Sequence, residues 1–224
     1  MIGSNSIKKT KNLVSLGIHD DWSFEKKFSK LNSDIRVFCY DDQTSLKFLI
    51  KKILNNLFFF FFNLQLKKLT SSIVNLFEFI QISKKIKFTK KRINYNDLNN
   101  ITENLDKIFI KIDIEGSEYR IIEDLLKIED KLVGLVIEFH NIDLHMDKIE
   151  KFINTTKLEL IHIHPNNYCG LDRFNNPITI ELSFEKNPTP VKDLFTIPHD
   201  LDQNCDPKGP NINISFSNKT TTSV

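Results

Sequence analysis

The chain has 224 residues, 40% of them hydrophobic and 27% charged, with a formal net charge of +2. That is enough for one large domain with a full core, and so small a charge gives no overall electrostatic case for a nucleic-acid partner. Three widely spaced cysteines, Cys39, Cys169 and Cys205, without a CxxC pair, argue against a disulfide framework or a structural zinc site and point to a reducing, cytoplasmic setting.

Met1 to Leu13 is polar and basic with no apolar core, so no signal peptide is expected. Leu13 to Gly17 is a short apolar strand ending in glycine, and Ile18 to Asp21 forms a loop. Ser23 is placed to cap a helix with Glu25 in its first turn and Phe24, Phe28 and Leu31 on one face. Ile35 to Tyr40 is a second strand, ending at Asp41-Asp42. Residues 45–82 are mostly helical by pattern and contain five consecutive phenylalanines, Phe58 to Phe62. The apolar stretch Ile53 to Leu66 is bracketed by Lys51-Lys52 and Lys67-Lys68. It is shorter than the ~20 residues that cross a bilayer, so it reads as a buried or partner-facing helix, with weak peripheral membrane contact as the lesser alternative. The basic run from Lys84 to Arg92 reads as a solvated face.

Residues 86–93 form a weak strand, and Asp97 opens a short helix. The run Ile108 to Ile112 then ends in Asp113-Ile114-Glu115-Gly116-Ser117-Glu118, followed by Ile121, Ile122, Leu125 and Leu126 at helical spacing. That is a strand, a tight turn and a helix. Val133 to Phe139 is a nearly continuous apolar strand, as expected for one buried on both faces, and it ends at Glu138-Phe139-His140. A helix through Ile149 and Phe152, a strand from Leu158 to His164, and an alternating strand from Ile178 to Phe184 follow. After Lys186 the chain is Pro-rich, with a last strand expected at Ile212 to Phe216. Strands alternating with helices and closing on a strand pair predict an α/β, doubly wound sheet with one antiparallel strand. The expected organisation is a single domain over 1–224, with a Phe- and Lys-rich helical segment at 45–92 and a Pro-rich extension at 186–224.

Ligands of open α/β sheets sit at the carboxyl ends of the strands. Gly17, where the first strand meets its helix, would let a ligand approach the backbone, and Asp41 at the end of the second strand could accept ribose hydroxyls; together they favour a ligand containing a nucleoside. A GxGxxG loop is absent, because His19 and Trp22 stand where glycines would be wanted. Asp113 and Glu115 suit contact with a cationic group, activation of a hydroxyl, or a divalent ion. His140 can take a proton near neutral pH. His162 and His164 face one way, but no third ligand completes a metal site, and no metal is expected.

In this order, the segments Ser15 to Glu25, Lys111 to Glu118, Val136 to His140, Ile161 to Tyr168 and Ile180 to Phe184 resemble the FkbM-type methyltransferases, class I enzymes dependent on S-adenosylmethionine, and their polysaccharide-cluster branch. The resemblance implies a Rossmann-like, seven-stranded, mostly parallel sheet with one antiparallel strand and helices on both faces. It implies methyl transfer from S-adenosyl-L-methionine to a hydroxyl of a glycan, glycan precursor or related small metabolite. By position, Gly17, Ile18, His19 and Asp42 would border the cofactor, Asp41 would hold its ribose, and Asp113 and Glu115 would line the methyl-transfer end, with His140 as a candidate base. The chain departs from the family in its reduced glycine loop and in lacking an upstream Asp-Gly-Gly-Tyr element. A non-catalytic Rossmann-like module that binds a nucleoside or a partner is the alternative; a metal-dependent hydrolase on Asp113, Glu115, His140, His162 and His164 is a third reading.

Overall fold

A computed structural model describes residues 2–19, 21–63, 66–82, 86–189, 197–199 and 202–214. In chain order its elements are α1 (Ser4–Lys9), β1 (Asn12–Leu16), α2 (Ser23–Leu31), β2 (Arg36–Asp41), α3 (Leu46–Asn63), α4 (Leu66–Ile82), β3 (Ile86–Lys90), α5 (Asp97–Thr102), β4 (Ile108–Ile112), α6 (Ile122–Ile128), β5 (Leu132–Phe139), α7 (Met146–Thr155), β6 (Glu159–Pro165) and β7 (Ile180–Glu185). The seven strands form one sheet in the order β3-β2-β1-β4-β5-β7-β6. The pairings among β1 to β5 are parallel, and β7 runs antiparallel to both β5 and β6. This is the expected Rossmann-like arrangement.

The central strands are apolar because both faces are covered. Every residue of β1 is buried, and so are Ile108, Phe109, Ile110 and Ile112 of β4. On one face Val14, Ile110, Leu125, Phe139 and Phe152 belong to a core under α5, α6 and α7. On the other, Leu13, Trp22, Phe28, Val37 and Phe109 form a second core under α2 and the α3–α4 pair. Phe28 and Phe109 have ring centroids 5.0 Å apart, and Trp22 meets Phe79 of α4 at 5.3 Å. The parallel strands bring the ends of β1, β2, β4 and β5 to one edge, and that edge carries the site.

Four details depart from the sequence reading. The polar segment after Gly3 forms α1, held by tertiary contacts: the Gly3 N–H donates to the Glu185 carboxylate and Ser6 Oγ donates to the Val133 carbonyl at 3.1 Å. Ser23 does not cap α2; it is the first helical residue, and its N–H donates to Asp21 Oδ1 at 2.8 Å. Glu25 lies in the first turn of α2, yet its side chain turns inward and is buried. Residues 212–214 form no strand, while Ser215 and Phe216 lie outside the described residues, as does Asp20. Phe58 and the next four residues fall in α3, and the side chains of 59–63 are not among those described. No described helix is long and apolar enough to cross a membrane.

Candidate active site

The β1 loop is built on a backbone collision avoided. Gly17 sits at φ +74°, and a Cβ there would lie 1.6 Å from the Asp113 carbonyl oxygen. Glycine is required because the end of β4 occupies the space a side chain would need. Hydrogen bonds tie this crossing on both sides: the Gly17 N–H donates to the Tyr40 carbonyl and the Asp113 N–H to the Leu16 carbonyl, each at 2.9 Å. His19 follows at φ +48°, the left-handed region that glycine favours. The position expected to hold a family glycine thus keeps the glycine conformation while carrying an imidazole.

Asp41 closes this loop. Its Oδ2 accepts the N–H groups of Ile18 and His19 at 3.0 and 2.9 Å, and its Oδ1 accepts those of Gln43 and Thr44 at 2.8 and 2.6 Å. Burial alone would raise this carboxyl, but the four N–H donors outweigh it and hold it below the ordinary carboxylate value. These four bonds take up about as many lone-pair positions as a carboxylate offers, and through them Asp41 fastens the β1 and β2 loops together at the wall of the cleft. Its neighbour Asp42 lines the same cleft with a side chain 43% exposed and 4.0 Å from Arg92 Nε.

The β4 turn has a similar fastener. Glu115 and Gly116 take φ +52° and +89° in succession, which reverses the chain sharply after Asp113. Glu118 is fully buried in the short 3-10 turn at 118–120, and its Oε1 accepts the N–H groups of Ile114 and Gly116, both at 3.1 Å. The same oxygen meets His140 Nδ1 at 3.1 Å. The other face of that imidazole lies 3.5 Å from Glu115 Oε2 and 3.6 Å from Glu138 Oε1. Glu115 also reaches back across the cleft, with Oε1 3.2 Å from His19 Nε2. Burial would lower the His140 pKa, but the bond to Glu118 and the charges of Glu118, Glu138 and Glu115 prevail and push it up to about 9. His140 is therefore an imidazolium at neutral pH. In that form it donates hydrogen bonds and balances the charge of the carboxylates around it.

Two residues without an expected role lie beneath. Lys111 interrupts the apolar β4, and its Nζ reaches the Gly17 carbonyl at 3.3 Å and Asp113 Oδ2 at 3.6 Å. Burial would lower its pKa, but Asp113 and Glu25 keep it raised. Glu25, buried under β1, accepts from Ser15 Oγ at 2.5 Å, and burial raises its carboxyl. A lysine inside an apolar strand was the visible signal; nothing in the sequence showed that it would face Gly17 and Asp113. Glu138, bonded by Asn166 Nδ2 at 2.8 Å, is a third, and burial with the nearby Asp113 charge raises its carboxyl. His162 is paired with Asp202 at 2.8 Å.

The resulting cleft is lined by Gly17, His19, Tyr40, Asp41, Asp42, Asp113, Ile114 and Glu115, with Lys91 and Arg92 also on its wall. Carboxylates prevail at the strand ends, the right acceptor set for ribose hydroxyls and the right charge for a cationic sulfur or ammonium. Asp113, Glu115 and His140 each offer one atom within 4.8 Å of the others, near enough for a divalent cation. Lys111 and the protonated His140 already supply positive charge to these carboxylates.

A search of curated proteins finds no match. Among solved structures, the chain is similar to a precorrin-6y C5,15-methyltransferase from Geobacter metallireducens, at 12% identity over 82% of this chain and 85% of that one, with a TM-score of 0.44. It is similar to a putative rRNA methylase from Clostridium thermocellum at 13% identity over 82% and 90%, with a TM-score of 0.45. A putative RNA methyltransferase from Pyrococcus horikoshii gives 14% identity over 80% and 74%, with a TM-score of 0.44. Likenesses this distant carry no argument about the acceptor. The methyltransferase FkbM domain matches residues 4–163, a span that holds β1 to β5, both carboxylate-fastened loops and His140. The chain belongs to the FkbM methyltransferase family, whose class I chemistry uses S-adenosylmethionine.

Proposed function

We propose that this chain methylates a hydroxyl on a glycan or glycan precursor. The observation that carries the reading is the placement of Glu115: a cleft-lining carboxylate, 59% exposed, set between His19 and the imidazolium of His140. S-adenosylmethionine, when bound, supplies a methyl carbon on a positively charged sulfur. Asp42 is the carboxylate available to accept ribose hydroxyls, and Asp113 faces the cationic end. With the cofactor held there, Glu115 would orient the acceptor hydroxyl and receive its proton as the oxygen is methylated. His140 orients Glu115, and Glu118 holds His140. The β6–β7 loop supports a sugar acceptor. Its Tyr168 and Phe174 are 77% and 68% exposed, and Asn166 ties the loop to Glu138. Exposed aromatic rings of this kind suit the apolar faces of sugars.

The test is methyl incorporation from labelled cofactor into a panel of sugar nucleotides and oligosaccharides, read by mass shift. Glu115→Gln should lower kcat about a hundredfold with cofactor affinity unchanged. Asp42→Asn should weaken cofactor binding about tenfold by calorimetry, with methyl transfer recovered at saturation. Cofactor binding without methylation of any hydroxyl would overturn the acceptor assignment. Loss of activity with a chelator, restored by Mg²⁺ or Mn²⁺, would replace the Glu115 base with a cation on Asp113, Glu115 and His140.

A further inference from the structure

The α3–α4 pair presents an apolar face that nothing in the described chain covers. The inner side of the pair is accounted for: Leu49 and Leu69 are buried, and Leu76 and Phe79 pack into the second core. Asn56 Nδ2 donates to Ser72 Oγ at 2.6 Å and pins one helix to the other. The outer side is different. Of the seventeen exposed large hydrophobic side chains among the described residues, ten lie on these two helices. Ile50, Leu54 and Leu57 follow one helical stripe on α3, and Ile73, Val74 and Phe77 form another on α4. Leu54 and Phe77 are 59% and 62% exposed. A patch spread over two helices of 18 and 17 residues, each about 25 Å long, exceeds the scattered exposure ordinary for a surface.

Charge decides what fits this face. Residues 46–82 contain five lysines and one glutamate, a net +4. The single acid, Glu78, is already paired with Lys26 at 2.5 Å. Lys47, Lys51 and Lys68 are exposed beside the apolar stripes. A second copy docked face to face would set +4 against +4, whereas an anionic lipid surface offers apolar depth with phosphate charge above it. Neither helix is long and apolar enough to cross a bilayer, so the geometry fits lying in the interface. We propose that the α3–α4 face docks the protein on anionic membranes. The proposal is independent of the acceptor and of catalysis.

Sedimentation with phosphatidylcholine vesicles containing one-third phosphatidylglycerol tests it, with pure phosphatidylcholine vesicles as control. The full chain should bind the anionic vesicles about tenfold or more tightly than the neutral ones, and added salt should weaken that binding. Leu54→Glu with Phe77→Glu should abolish binding while circular dichroism stays unchanged. Lys51→Glu with Lys68→Glu, which leaves the apolar face intact, should remove the preference for anionic lipid and serves if the first variant misfolds. Failure of the folded wild type to bind would overturn the proposal, as would equal binding to both vesicle types. A concentration-dependent dimer that Leu54→Glu with Phe77→Glu dissolves, without vesicle binding, would identify a second copy as the occupant instead.

Discussion

At the end of β1 a loop is fastened by Asp41, and at the end of β4 a turn is fastened by Glu118. Both carboxylates are buried, and both accept backbone N–H groups that the chain reversal would otherwise orphan. They differ in what is left over. Asp41 gives both oxygens to four N–H donors, two from each loop. Glu118 gives one oxygen to two N–H groups and His140, and its Oε2 is buried with no hydrogen-bond partner. The first loop is therefore a matter of shape, while the second couples the shape of a turn to the charge of an imidazole. The two meet where Gly17 lies against Asp113.

Breaking that meeting point should have the largest effect. Gly17→Ala would set a Cβ against the Asp113 carbonyl and strain a φ of +74°, and no flexible side chain is there to yield. Left-handed strain and backbone overpacking together should cost about 4 kcal/mol, with cofactor binding lost, as read by urea unfolding and calorimetry. Asp41→Ala comes next, because it orphans four N–H groups while leaving the strands intact; about 3 kcal/mol is expected. Its pH signature is distinct. The Asp41 carboxyl is lowered in the folded chain, so its contribution is present above its unfolded value of 3.8 and is lost as pH falls through the folded value. The variant should lack that part of the acid transition. Equal acid unfolding of wild type and variant would show that Asp41 is not the fastener.

The strands and their order of appearance were legible because buried strands must be largely apolar, and β1, β4 and β5 are mostly Val, Ile, Leu and Phe. The Asp113–Glu118 turn was legible too, since a Gly after two carboxylates at a strand end has few other uses. The roles inside the site were not. That Asp41 fastens two loops while Asp42 keeps an exposed side chain in the same cleft depends on where four backbone N–H groups converge, which no spacing shows. Glu25 fits a helix first turn whether it points to solvent or to Ser15. His140 reads as a base because an isolated histidine titrates near neutrality, and the spacing does not show the three carboxylates from β5 and the β4 turn that raise its pKa. The α1 helix was hidden because Gly3 and Ser6 are held by residues more than 120 positions away.

Glu118→Gln sharpens the comparison on the other side. The amide keeps an oxygen for the Ile114 and Gly116 N–H groups but removes the charge behind His140. The turn should persist, at a cost of about 1–2 kcal/mol, while His140 titrates well below about 9, measured by NMR. In the wild type the raised pKa contributes stability that is fully present below the unfolded value of 6.5 and is lost as pH rises through about 9. That alkaline loss should shrink in the variant. An unchanged His140 titration would mean that Glu115 and Glu138 set its charge and that Glu118 only shapes the turn.

His19→Gly should have the smallest effect, and it tests whether the β1 loop depends on Asp41 alone. Glycine relieves the left-handed cost at φ +48° but gains freedom in the unfolded chain, two terms of about 1 kcal/mol that oppose each other. The ion pair with Glu115 adds little, because the two side chains are 39% and 59% exposed and solvent screens them. The His19 N–H to Asp41 bond belongs to the backbone and survives the substitution. Stability should therefore change by less than about 1 kcal/mol, and cofactor affinity should hold. A large fall in kcat with both of those unchanged would assign the imidazole to orienting Glu115 from across the cleft, so that the loop of shape would also carry charge.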